Sequence, residues 1–113
     1  MSNKTMIKRI SFVWKKPDLS DAEFRRRWLG EHIAYAKLLP GVREYTIDFV
    51  TEGSQDGPQG IATLRFDSKE ALEAAFRLPG LRETLLKTRE LFAERVEVMI
   101  VDECIVVPRT SGL

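Results

Sequence analysis

Hydrophobic and polar positions alternate along four stretches of this chain and repeat at helical spacing along two others. Residues 6–14 alternate Ile10, Phe12 and Trp14 with Arg9, Ser11 and Val13, the period of two expected of a strand. Residues 42–51 place Tyr45, Ile47 and Phe49 on one face and Glu44, Thr46 and Asp48 on the other. Residues 61–66 and 96–107 read as two further strands. Between the first two strands, Phe24, Trp28, His32, Tyr35 and Leu39 recur at steps of three and four, so they share one face of a long helix over residues 20–41. Ser20 with Glu23 forms a capping-box pattern at its start, and Pro40-Gly41 stops it. A second helix follows Asp67-Ser68-Lys69-Glu70, with Asp67 as the expected N-cap and Glu70 at N3. Leu72, Ala75 and Phe76 form its inner face. Pro79-Gly80 interrupts it, and a further helical stretch turns Leu81, Leu85, Leu91 and Phe92 inward. Residues 52–60, EGSQDGPQG, have no periodicity and read as a mobile loop. Residues 109–113 form a short tail.

The order is βαββαβ. Right-handed crossovers put both helices on one side of a single four-stranded antiparallel sheet, a ferredoxin-like α+β arrangement within one domain spanning residues 1–113. The last strand breaks the pattern. Val96, Val98, Ile100, Cys104 and Val106 hold one parity, and Met99, Val101, Ile105 and Val107 hold the other. A strand apolar on both faces needs cover on both, and two helices cover one. A second copy of the chain would supply the rest. The expectation is a homodimer through the open sheet face, two sheets meeting as a dimeric α+β barrel.

Composition narrows the partners. The chain has 113 residues, 43% hydrophobic and 31% charged, with 18 Lys and Arg against 17 Asp and Glu. A net charge of +1 offers no electrostatic reason to expect a nucleic acid or a membrane surface. The Arg25-Arg26-Arg27 run reads as a solvated face. One cysteine excludes an intrachain disulfide and a Cys-rich zinc site, and one histidine argues against any structural metal. The N-terminal residues lack the apolar core of a signal peptide, and no apolar run approaches the roughly 18–20 residues of a membrane span. A cytoplasmic setting is expected.

The only histidine, His32, falls among aromatics on the inward face of the first helix. An imidazole with an ordinary pKa of about 6.5 can take or give a proton near neutrality, which makes His32 the candidate acid–base residue. The competing structural role is a core histidine satisfied by a backbone carbonyl or by Tyr45. Tyr35, one turn on, and Tyr45 could hydrogen-bond a bound carbonyl or phenol. Trp28, Phe12, Trp14, Phe49 and Phe66 are the candidate apolar walls of a pocket between sheet and helices. Asp48 and Asp102 are assigned to solvent or to the dimer face. No second acid therefore joins His32, and two-carboxylate chemistry has no support. Cys104 is expected to be a small buried hydrophobe. No Gly-rich phosphate loop lies between a strand and a helix.

The segment from Lys16 to Tyr45 resembles the EthD family of dimeric α+β-barrel proteins. The matching residues are the basic-Pro turn at Lys16-Pro17, Leu19-Ser20, Glu23-Phe24, Trp28, Glu31-His32, Leu39-Pro40-Gly41 and Tyr45. Residues 61–68, IATLRFDS, resemble the family's third strand and second helix cap. The resemblance implies the same fold and dimer. It also implies cofactor-free chemistry on small ring compounds, since the family includes a methylmuconolactone isomerase, fungal polyketide dehydratases and a protein of ether degradation. A histidine on the first helix lines the pocket in these enzymes, and His32 matches it. The isomerase also uses a cysteine on the third strand. The matching position here is Leu64, so that step has no counterpart.

Together these readings describe a cofactor-independent enzyme acting on a small apolar cyclic or polyketide-like compound by proton transfer at His32, as an isomerase, dehydratase or cyclase. Two alternatives remain open from the residues alone. One is a cofactor-free monooxygenase of the related barrel type. The other is a non-catalytic protein that binds a small ligand.

Overall fold

A computed structural model describes residues 6–109. Strand β1 (Ile7–Lys15) leads to helix α1 (Asp21–Arg27), a π turn (Trp28–His32) and helix α2 (Ile33–Ala36). Strands β2 (Glu44–Phe49) and β3 (Gly60–Phe66) follow, then helices α3 (Lys69–Phe76) and α4 (Leu81–Arg89), and strand β4 (Ala93–Asp102). The sheet order is β2-β3-β1-β4 and each neighbouring pair is antiparallel. This is the ferredoxin-like α+β topology expected from the strand and helix order.

Register decides which side chains the helices cover. Val13 sits opposite Gly60 on β3 and Val96 on β4, whereas Phe12 sits opposite Ile61 and Glu97. Cross-strand partners share a face. Val13 is 2% exposed, and Ser11 is buried beside it. Arg9, Ser11 and Val13 therefore face the helices. Ile10, Phe12 and Trp14 face the open side, which corrects the placement of Phe12 and Trp14 in the pocket wall. The reason is on β3: a Cβ on Gly60 would come within 2.3 Å of the Trp28 ring. The helix-covered face needs this small residue under a large indole, and the bulkier parity of β1 goes to the other face.

The long first helix is three segments rather than one. Ser20 Oγ accepts from the Glu23 N–H at 3.1 Å as expected. The Glu23 carboxylate does not return to Ser20 but pairs with Arg26 and Arg27, which hold it at a pKa of about 2. At Gly30 the backbone leaves helical geometry, with φ −89° and ψ −116°. The π turn adds a residue to one turn and rotates everything after it by roughly 100° relative to an unbroken helix. Ala36 and Leu39 turn fully inward, at 4% and 3% exposure, and Tyr35 is left half-buried.

Three further expectations are corrected. Ser68, not Asp67, caps α3 by accepting from the Ala71 N–H, and Asp67 pairs with Arg43 instead. Leu91 is 41% exposed, while its neighbour Phe92 is 1% exposed. The last strand ends at Asp102, and the Glu103 N–H that follows bonds the Met6 carbonyl at 2.9 Å. Cys104 is thus exposed, as are Ile105, Val106 and Val107. The expected tail lies outside the described residues beyond Arg109.

The loop after β2 is tied down rather than loose. Val50 N–H bonds Gln59 O, Gln59 N–H bonds Val13 O, and the Trp14 indole N–H bonds Asp56 O, each at 2.9 Å. Trp14 serves here, with the Arg95 guanidinium stacked 4.3 Å over its ring.

The buried side chains fall into two clusters. One gathers Phe24, Trp28, Phe92 and Val13 at one end of the sheet, and the other gathers Leu64, Phe66, Leu72 and Leu81 at the other. Full burial of Trp28, Phe66 and Phe92 supplies roughly 1.5–3 kcal/mol each. Among the described residues, no helix is long and apolar enough to cross a membrane.

Candidate active site

A cavity of about 360 Å³ opens between the two clusters, under the helices and over β1, β3 and β4. Trp28 and His32 enter it from the two ends of the π turn, and Tyr45 enters from β2. Leu39, Leu64 and Phe92 supply apolar wall. The broken helix makes this arrangement: Trp28 stacks on Phe92 at 5.0 Å, and His32 meets the edge of the same ring at 5.3 Å.

His32 is held on one side only. Its Nδ1 lies 2.7 Å from Thr88 Oγ1 on α4. That hydroxyl is also 3.0 Å from the Thr84 carbonyl and 3.2 Å from the Leu85 carbonyl, so its single proton is committed to the helix backbone. Its lone pair then accepts from Nδ1–H. This network assigns the proton to Nδ1 and leaves the Nε2 lone pair without a partner among the described residues. Burial lowers the His32 pKa to about 4, with the Arg89 guanidinium adding to the effect. The imidazole is therefore neutral at pH 7 and is a base, not an acid, in its resting state.

Two more polar groups share the space. Burial raises the Tyr45 pKa, and the neighbouring Trp28 indole counters this in part. The indole falls short of a hydrogen bond, however, and Trp28 Nε1 is a buried N–H without a partner. An unmet buried donor costs about 1–3 kcal/mol.

The cavity brings together His32, Trp28 and Tyr45 from the expected residues. It does not reach the others. Phe49 packs with Phe24 and Trp28, and Phe66 is fully buried with Leu64 and Leu72. Tyr35 is turned aside by the π turn, and Phe12 and Trp14 lie on the other face of the sheet. Thr88, Arg9, Arg82 and Arg89 were not anticipated. Thr88 had no signal in a helix read by its leucines. Arg9 had one, a charge in mid-strand at a parity shared with Val13.

Comparisons with known proteins bear on the family and the fold. A family model described as EthD domain matches residues 16–95. No curated protein matches the sequence. An ethyl tert-butyl ether degradation (EthD) family protein from Bacillus halodurans C-125 is similar over 88% of this chain and 99% of its own, with 22% identity and a TM-score of 0.70. A dimeric ferredoxin-like protein of unknown function from Thermobifida fusca YX is similar over 91% and 95%, with 9% identity and a TM-score of 0.68. The hydroxynitrile lyase of Passiflora edulis is similar over 93% and 99%, with 16% identity and a TM-score of 0.68. At these identities the structural likenesses show the fold.

Proposed function

Because the chain belongs to the EthD family, and because its one histidine lines the cavity and is hydrogen-bonded through Nδ1 alone among the described residues, we propose that it is a cofactor-independent enzyme that moves a proton on a small cyclic compound, with His32 as the base. The observation that carries this reading is the one-sided hold on His32. A purely structural histidine would have both nitrogens consumed, whereas here Thr88 takes Nδ1 and Nε2 is left to the cavity. Nε2 would remove a proton from a carbon next to a carbonyl. The electron pair would pass into the carbonyl oxygen, and the enolate would accept a hydrogen bond from Tyr45. Return of the proton to a different carbon completes an isomerisation, and departure of a leaving group completes an elimination. The lyase among the structural relatives supports chemistry of this kind on this fold.

The working unit in this reading is a homodimer. The open sheet face carries Ile10 and Phe12 beside Met99, which is 56% exposed in the single chain. A second copy seated there covers them, as the dimeric relative supports.

The test is turnover across a panel of cyclic ketones, lactones and cyanohydrins. His32→Ala is expected to lower the rate by ~10² or more while circular dichroism and the sedimentation coefficient stay unchanged. An undiminished rate in the variant, or oxygen consumption coupled to turnover, would overturn the reading.

A further inference from the structure

We propose that the ligand of this cavity is an anion, a ring-sized carboxylic acid whose carboxylate is received by Arg9 with Arg89 and Arg82 behind it. Three arginines line the cavity and no aspartate or glutamate does. The chain has 17 acidic residues to draw on. Among the described residues, Arg26, Arg27, Arg43, Arg65, Arg77 and Arg95 have a carboxylate partner, whereas Arg9, Arg25, Arg82, Arg89 and Arg109 have none. Three of those five line this one cavity, whereas Arg25 stacks on Phe49 outside it.

Arg9 is the centre of the group. It rises from β1, the inner strand that pairs with both β3 and β4, at the helix-covered parity. Its guanidinium lies 4.6 Å over the Phe76 ring, and one nitrogen donates to Ser11 Oγ at 3.2 Å. That leaves most of its five N–H donors unused. Burial lowers its pKa, and Arg89 and Arg82 lower it further, so the three charges repel one another in the empty cavity. Stacking on Phe76 orients the guanidinium but does not neutralise it. A bound carboxylate would do so, with the paired N–H geometry that guanidinium offers. The apolar wall at Leu39, Leu64 and Phe92 would take the ring, and the unpartnered Trp28 Nε1–H stands in the same lining.

This inference deepens the proton-transfer reading and rests on it for the role of His32, but binding tests it alone. Calorimetric titration of the wild-type protein with sodium benzoate is expected to saturate at one site per chain, with affinity falling as salt rises. Benzamide, the neutral isostere, is expected to bind at least about tenfold more weakly. Arg9→Gln and Arg89→Gln are each expected to lose about tenfold or more for benzoate and little for benzamide. Arg89 ends α4 and is only part-buried, so its variant keeps the test decisive should Arg9→Gln fail to fold. Equal affinity for benzamide, unchanged benzoate affinity in both arginine variants, or no binding at millimolar benzoate would each overturn the anion site. Benzoate binding on the arginines with no turnover of any acid would uphold the site and remove the catalytic reading instead.

Discussion

His32 is the sole histidine, so its ring protons give one resolved titration in a proton NMR spectrum, and the expected midpoint is about 4. The shift comes first from burial and second from Arg89. At pH 6 a ring with a pKa of 4 is ~1% protonated, against ~75% for an ordinary histidine near 6.5. The sign for stability follows from linkage. The unfolded chain takes up its proton near 6.5 and the folded chain only near 4, so acid favours unfolding. The histidine contribution is fully present above pH 6.5 and is lost as pH falls from there to about 4. Between pH 7 and pH 5 the loss is at most about 2 kcal/mol, and about 1 kcal/mol once partial solvent exposure of the ring is allowed for. For a chain of this size that lowers the melting temperature by about 4 °C. Carboxylates also titrate on this side, so the quantity to measure is the wild-type change minus the change in His32→Gln. An NMR midpoint near 6.5, or equal pH dependence in the two proteins, would refute the argument that His32 rests as a neutral base in a partly buried, cationic cavity.

Three other outcomes are expected. Thr88→Val removes the acceptor for Nδ1–H and should lower stability by ~1–2 kcal/mol. It should also mix the two tautomers in the nitrogen NMR spectrum of His32, and Thr88→Ser should restore one; a single unchanged tautomer in Thr88→Val would show that Thr88 does not set it. Gly60→Ala pushes a methyl group against the Trp28 ring and should cost ~1–3 kcal/mol in urea unfolding, with an unchanged midpoint contradicting the close approach. Sedimentation should give twice the 13.0 kDa chain mass for the wild type, and Phe12→Glu should shift it toward the monomer; a wild-type monomer at micromolar concentration would remove the dimer.

The element order was legible because strand and helix periods differ and the stops at Pro40-Gly41 and Pro79-Gly80 are strong. The facing of β1 was not. Both of its parities carry apolar side chains, and the choice between them is made across the sheet, where Gly60 must lie beneath Trp28. The π turn was likewise hidden. Phe24, Trp28, His32 and Tyr35 fit an unbroken helix, and nothing local marks Gly30 as the place where that register ends. The consequence was specific: His32 was correctly placed on the inward side, whereas Tyr35 was drawn in one turn too far. The end of β4 was misread because Ile105, Val106 and Val107 have strand composition, yet the strand stops at Asp102 and these side chains are exposed. The arginines were missed for a related reason. Each looks like a solvated charge in its own segment, and only the fold puts Arg9 from β1 and Arg82 and Arg89 from α4 around one space.

The central claim is that His32 removes a carbon-bound proton from a ligand in this cavity, and exchange in heavy water tests it without knowledge of the full reaction. Cyclic keto acids incubated with the protein in D₂O would be followed by loss of the proton signal at the carbon next to the carbonyl. The account predicts exchange at least ~10² faster with wild type than with His32→Ala, with both proteins folded. No acceleration for any acid in the set, or equal acceleration by the variant, would contradict it.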